Sequence, residues 1–593
     1  MNVTERIAAL RSLMKKNGID AYLITGTDPH LSEYTPERWK TRAWISGFTG
    51  SFGKVLVTLK EVLLWTDTRY FLQASDELYG TGIRLMKERV VDAISLESWV
   101  VENLKPGSKF ALDGLTLSTA EAVSLKSKLG ANGIIFDSGI DLVTEIWQNR
   151  PSEIYAPIYE HPANFAGKTR AEKLELVRKM LLAKEIDAAV VSMLDDVAWL
   201  FNLRGNEIEY TPLFSAYAYV DLENCWLFIA SKKLSATISA QLEQEGIQLA
   251  PYDEFLPFLS RIHEKSIQID PIRSNIQLTN AMSGSNIIDT SVSLTTLIKS
   301  VKDPIEIRNI RNAHLKDGVA MVNFLFWINH TIEIEDITEV SAGEMLFHFR
   351  SRQAHFVGES FCPIVGFGPH GAIVHYHATE STDVAISKDN LLLIDSGGQY
   401  LDGTTDLTRT ICLGIASKEQ KMDFTLCLKA QIALANTLFP EGARGHSLDA
   451  ITRNHLWNNQ LNYGHGTGHG IGYFLSVHEG PMSIRAEFNN QSIREGHLLS
   501  NEPGIYRTDK YGIRIENVIL CREFSQTEFG KFLCFETISL CPIDKQLIII
   551  ELLCKEELNW INQYHEKVFQ QISPLITEKV VLEWLKNQCL PLN

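Results

Sequence analysis

Residues 5–25, ERIAALRSLMKKNGIDAYLIT, and residues 172–192, EKLELVRKMLLAKEIDAAVVS, read as one unit written twice at a constant offset of 167. Arg11 meets Arg178, and Ile19-Asp20-Ala21 meets Ile186-Asp187-Ala188. In each copy apolar residues recur at helical spacing (Ile7, Leu10, Met14; Leu174, Val177, Leu181) before an apolar run (Tyr22-Leu23-Ile24; Ala189-Val190-Val191). Each copy therefore predicts helix, short turn and buried strand. Ala43-Trp44-Ile45 and Ala198-Trp199-Leu200 extend the match loosely, because they lie at different distances from the two copies. Two related α/β domains follow, over residues 1–160 and 161–299.

Beyond them the pattern changes. Pro304 opens a long amphipathic helix with apolar residues at Ile307, Ile310, Val319, Val322 and Leu325. From about residue 390 to 545 strands alternate with glycine-rich loops: Leu391 to Ile394, Thr408 to Ile411, Ile513 to Ile515, Val518 to Leu520. A helical tail with Trp560 and Trp584 follows from about residue 555. Residues 300–593 thus form a third domain. At roughly 100–200 residues per domain, 593 residues allow roughly three to five domains, and 45% apolar residues supply each with a core.

Acidic residues number 72 and basic ones 56, so the electrostatic footprint for nucleic acid or an anionic membrane is missing. The start of the chain reads as an amphipathic helix with no signal-peptide core, and no apolar run reaches about 18 residues, which predicts a cytoplasmic location. The nine cysteines are odd in number, without CxxC spacing and absent before residue 225, as reduced and mostly buried thiols would be.

GxSxG, GxxxxGK[ST] and HExxH are all absent, and GHGTGHGIG does not fit GxGxxG. What remains is a set of acids and imidazoles in the third domain: Asp395, Asp406, His465, His469, His478, Glu502 and Glu516. Singly each has an ordinary reading: Asp395 as a strand-end turn residue, Glu502 as a loop acid, His469 as a satisfied buried histidine. Together they suggest more. An ionised carboxylate inside a core costs several kcal/mol unless paired, so Asp395 after four aliphatic residues needs a counter-charge, as does Glu516 after Ile515. Four carboxylates and a neutral imidazole carry a charge that two dications cancel, and an oxygen-rich shell suits manganese or magnesium. Two metals about 3.5–4 Å apart lower the pKa of a shared water for attack on a carbonyl. The register around Asp395 stays open: a reversal centred on Tyr400-Leu401 puts Asp406 opposite it, whereas a turn at Asp402-Gly403 offsets the two by four residues. Arg514 and Glu516 share a face by the period of two, so Arg514 can hold a carboxylate or reach substrate.

These residues, with SEYTPERWKTRAWISGFTGSFG, LLWTDTRYFLQA, GAIVHYH, DSGGQYLDGTTDLTRT, VHEGP and NEPGIY, resemble the pita-bread metallopeptidases, and among them the three-domain Xaa-Pro aminopeptidases. The resemblance covers nearly the whole chain. It implies two creatinase-like α/β domains before a pita-bread α+β catalytic domain, and a homodimer acting on peptides with proline second. It further implies two metal ions, usually manganese, held by Asp395, Asp406, His469, Glu502 and Glu516, with Asp406 and Glu516 bridging. Glu502 is then also the general base, His375 and His478 hydrogen-bond the tetrahedral intermediate and the substrate ends, and His465 lines the pocket of the leaving proline. Such donors matter because charge develops on the carbonyl oxygen. His370 and His377 match no role and read as loop histidines. Departures are Asn501, where many relatives carry Asp, and Ile548 to Ile550, where an acid is common. Two rival readings are a prolidase confined to Xaa-Pro dipeptides, against which the duplicated domains speak, and a non-catalytic pita-bread binding module, against which the complete acid set speaks.

Overall fold

A computed structural model describes residues 1–282 and 286–593, which divide into two compact units: Met1–His161 with Lys168–Ile298, and Pro162–Gly167 with Lys299–Asn593. In the first unit helix α1 (Val3–Lys16) starts on a capping box between Asn2 and Glu5, and strand β1 (Ala21–Ile24) follows it. Helix α2 (Arg170–Lys184) starts on the equivalent Thr169–Glu172 box and leads to β2 (Ala188–Val191). Each strand lies fourth in a six-stranded mixed sheet, antiparallel to a hairpin on one side and parallel to its neighbour on the other. The strand orders agree position by position, so the duplication read from 21 residues extends through both domains. Trp44 and Trp199 both sit on short helices between the first two strands of their sheets.

Both repeat strands are buried throughout, since helices cover both faces of each sheet. Tyr22 and Ile24 pack with Ile7, Leu10 and Met14 of α1, while Ala21 and Leu23 pack on the opposite side with Leu96, Trp99 and Leu125.

The second unit begins with helix α3 (Pro304–Thr331), N-capped by Asp303, which accepts from the Ile305 and Glu306 amides. Strands β3 (Leu391–Ser396) and β4 (Leu407–Cys412) then pair antiparallel. Helices α4 (Lys418–Ala435) and α5 (Gly445–Trp457) pack on a larger antiparallel sheet. It contains β5 (Gly468–Gly470), β6 (Glu479–Ile484) and β7 (Leu498–Asn501), with β8 (Tyr511–Arg514) in a separate hairpin. Two long strands, β9 (Asn517–Thr527) and β10 (Gly530–Thr537), complete the large sheet. The tail helices Lys555–Ile572 and Lys579–Gln588 bury Ile561, Val568 and Leu585 in this unit's core, and Trp560 stacks on Tyr564.

Neither expected turn register is found. Tyr400 pairs with Gly403 and Asp395 with Thr408, so the reversal centres on Leu401-Asp402. Asp406 is therefore a diagonal neighbour of Asp395 on the same face. Gly397 interrupts the ribbon, where a Cβ would come within 1.9 Å of the Thr405 carbonyl oxygen. None of the nine cysteines is joined in a disulfide, and six of them are buried.

The adjacent leucines of α2 test the burial argument: Leu181 is 0% and Leu182 63% exposed. Leu181→Ala is expected to destabilise by about 2–5 kcal/mol, and Leu182→Ala to stay within about 0.5 kcal/mol, in urea unfolding.

Candidate metal centre

Asp395, fifth residue of β3, is buried against Arg514, whose Nη2 and Nε donate to Oδ2 at 2.6 and 3.2 Å. Its Oδ1 is buried with no hydrogen-bond partner. Asp406 precedes β4. Glu516 falls in the break between β8 and β9, its amide donating to the Thr408 carbonyl at 3.1 Å and its Oε2 accepting from the Thr408 hydroxyl at 2.7 Å. His469 is the middle residue of β5. With its Nδ1–H donating to the Gly470 carbonyl at 2.9 Å, its Nε2 faces Asp406 Oδ2 and Glu502 Oε1, each at 3.4 Å. Glu502 follows β7; its amide donates to the Thr467 carbonyl at 2.8 Å, and Oε1 accepts from Ser500 at 3.1 Å.

The glycines around His469 are steric necessities. A Cβ on Gly468 would lie 2.0 Å from the Ser500 carbonyl oxygen, and one on Gly470 2.1 Å from that of Glu479. Flanking strands thus close directly on the backbone and deliver the imidazole beside the acids. Asp406, His469 and Glu516 each offer a ligand atom, and the three atoms lie within 4.8 Å of one another. Asp395, through Arg514 and Thr408, and Glu502, through His469, border this cluster.

The electrostatics call for added positive charge. Burial, with the charges of Asp406, Asp395 and Glu502, drives the Glu516 carboxyl well above the usual carboxylate range. Burial and Asp406 also raise Asp395 despite Arg514. Burial lifts Glu502 to about 7, helped by Asp406 and Asp395 and opposed by His469 and Arg514. Burial opposes a charge on His469, but Asp406 and Glu502 outweigh it and hold the imidazole up at about 9. Four carboxylates with one guanidinium, an imidazole presenting Nε2 and an orphaned Asp395 oxygen suit a pair of oxygen-seeking dications.

The other expected residues are distributed as follows. His478 is exposed, its ring edge-on to that of His469 at 4.2 Å. His465 is hydrogen-bonded to the Tyr506 hydroxyl at 2.8 Å, with Nδ1 4.0 Å from Glu502 Oε2. His375 is half-buried in a loop whose preceding residue, Val374, accepts from Arg514 at 3.4 Å. Arg514 is 2% exposed and also donates to Tyr506 at 2.7 Å. His370 instead pairs with buried Glu339 at 2.9 Å and stacks on Tyr376.

Sequence reasoning missed Tyr506, which joins His465 to Arg514, and the α5 pair Asp449–Arg453. Arg453 donates to the carbonyls of Tyr463 and His465 at 2.7 and 2.6 Å, and Asp449 accepts from Thr467, so α5 fixes the histidine-bearing loop. Tyr506 stands in the quoted NEPGIY segment and was open to suspicion there; nothing local marks Asp449.

The fold and this geometry define a protein of tandem α/β domains followed by an antiparallel unit that carries an acid–imidazole centre suited to metal. Family models agree: Creatinase/Prolidase N-terminal domain matches residues 6–142 and again 149–306, Metallopeptidase family M24 matches 308–523, and its C-terminal region 531–592. Xaa-Pro aminopeptidase 1 of Dictyostelium discoideum is 38% identical over all of this chain and 97% of that protein. Aminopeptidase P2 of Arabidopsis thaliana is 34% identical over all of this chain and 89% of that protein. The crystal structure of X-prolyl aminopeptidase from Caenorhabditis elegans, described as a cytosolic enzyme with a di-nuclear active site, superposes with a TM-score of 0.96 at 34% identity, covering 100% of both chains. The chain belongs to metallopeptidase family M24, in the group of Xaa-Pro aminopeptidases. No helix of the described residues is long and apolar enough to cross a membrane.

If Glu502 and His469 are ligands, protons on them compete with metal. Both groups have raised pKa values, to about 7 and about 9, so affinity is expected to climb with pH through this range and level off above it. Calorimetric titration of metal-stripped protein with Mn²⁺ at pH 7, in two buffers of different ionisation enthalpy, should register net proton release.

Proposed function

We propose that this chain removes the N-terminal residue from peptides with proline second, as a cytoplasmic, manganese-dependent homodimer whose domains span residues 1–160, 161–299 and 300–593. The observation that carries the reading is the convergence of Asp406, His469 and Glu516, bordered by Asp395 and Glu502, at one buried point. In this reading those five residues would hold two ions. When bound, the ions supply a water of lowered pKa and polarise the scissile carbonyl.

The remaining work falls to side chains. Glu502, beside His469 and hydrogen-bonded by Ser500, would take the proton as the water oxygen bonds to the carbonyl carbon. It then delivers that proton to the proline nitrogen as the C–N bond breaks. His478, exposed beside His469, and His375 donate to the oxygen on which charge develops. His465, braced by Tyr506, lines the side taken by the leaving proline. Arg514 is saturated by Asp395 and Tyr506, which favours its carboxylate-holding role over contact with peptide.

The deciding experiment offers Xaa-Pro-Xaa tripeptides to purified protein with Mn²⁺; cleavage after the first residue is expected, whereas a prolidase leaves them intact. Metal analysis finding no uptake at saturating Mn²⁺ would instead revive the non-catalytic reading. Light scattering checks the dimer. Glu502→Gln is expected to abolish turnover and weaken metal binding, since one residue serves as ligand and base; near-normal turnover would contradict the assignment. Asp406→Asn should lower occupancy of both ions, and loss of one alone would contradict bridging.

A further inference from the structure

Beneath the His469 strand lies a cluster that the reaction above does not use. Glu479 opens β6 and pairs with Gly470 of β5. Its carboxylate meets Lys302 Nζ at 2.6 Å through Oε1 and Lys299 Nζ at 3.0 Å through Oε2, the latter an ion pair without hydrogen-bond geometry. All three side chains are 0–1% exposed, two cations against one anion. The lysines are brought there by backbone: the Lys302 amide donates to the Gly496 carbonyl at 2.9 Å and Val301 bridges to His497, immediately before β7.

Buried ions are a poor source of stability, since desolvating each costs several kcal/mol and packed apolar groups often serve as well. What this cluster does hold is position. Glu479 is the residue after His478, and its backbone is closed on Gly470, the residue after His469. A Cβ on Gly472 would lie 3.1 Å from Glu479 Oε2, so the loop between the two histidines folds against the same carboxylate. The ring-to-ring approach of His469 and His478 thus depends on where Glu479 is fixed.

We propose that Lys299, Lys302 and Glu479 form a positioning clamp, which seats the β5–β6 turn so that His469 and His478 face the reacting centre. The lysines and Glu479 are positioning residues and touch no reacting atom. The inference rests on the aminopeptidase reading for its kinetic consequence, but its effect on metal binding does not.

The test compares wild type, Glu479→Gln and Glu479→Gln/Lys299→Met, the double variant restoring the wild-type net charge of the cluster. The readouts are melting temperature, kcat and KM on an Xaa-Pro-Xaa peptide well below melting, and Mn²⁺ affinity by calorimetry. Glu479→Gln is expected to melt earlier, with kcat and Mn²⁺ affinity down about tenfold or more and KM nearly unchanged. The double variant should regain melting temperature while kcat and Mn²⁺ affinity stay low. Recovery of those two together with stability would reduce the cluster to a purely structural role and overturn the proposal, as would a folded Glu479→Gln with wild-type values. If Glu479→Gln does not fold, the double variant alone carries the comparison. Should wild type leave the peptide uncut, the functional reading fails and Mn²⁺ affinity alone decides the clamp.

Discussion

Mutual repulsion among buried carboxylates is the constraint around which the catalytic unit is organised. Asp395, Asp406 and Glu516, all buried, and half-buried Glu502 gather at one centre with a single guanidinium, that of Arg514, among them. Unpaired, such a group resists desolvation by several kcal/mol, so the backbone must impose the convergence. It does so at β4. Thr408 lies opposite Asp395, donates its hydroxyl to Glu516 and accepts the Glu516 amide on its carbonyl.

The next residue works on the other face. Arg409 is 1% exposed and donates to the carbonyls of Glu516, Cys541 and Pro542, to Asn517, and to the Tyr564 hydroxyl of the tail helix. Alternation along β4 thus gives one side chain to the centre and the next to the scaffold. Five donors in one planar fork suit a junction of carbonyls that no aliphatic residue could satisfy. The tail is consequently part of the catalytic core, and the break at Glu516 is held from both sides.

This division explains what could be read from sequence. The repeat was legible because helix and strand periodicity are local, and identical local units assembled into identical strand orders. The four acids and the imidazole stood out because charge after aliphatic runs and histidine among glycines violate ordinary patterning. Register was not legible: Asp402-Gly403 carries the strongest local turn signal, yet the reversal centres one residue earlier, with Gly403 already paired to Tyr400. Arg514 and Glu516 behaved as the period of two implied, both side chains meeting at Thr408, although strand β8 ends between them. Arg409, Asp449 and the lysines at 299 and 302 were invisible because each acts through a partner distant in the chain.

Asn501 shows how finely the charge constraint is tuned. Where the resemblance leads one to expect aspartate this chain has an amide, directly before Glu502. Here it is fully buried, and its amide donates to the Gln431 carbonyl on α4 at 2.8 Å. An ionised aspartate has no hydrogen to donate, so at the same position it would set two acceptors against each other and add a further negative charge beside the raised Glu502. The neutral amide instead ties β7 to α4 while leaving the charge of the centre to its proposed ligands. An aspartate there would have to carry a proton or meet a donor other than this carbonyl, so residue 501 answers to the helix it packs on as well as to the charge of the centre.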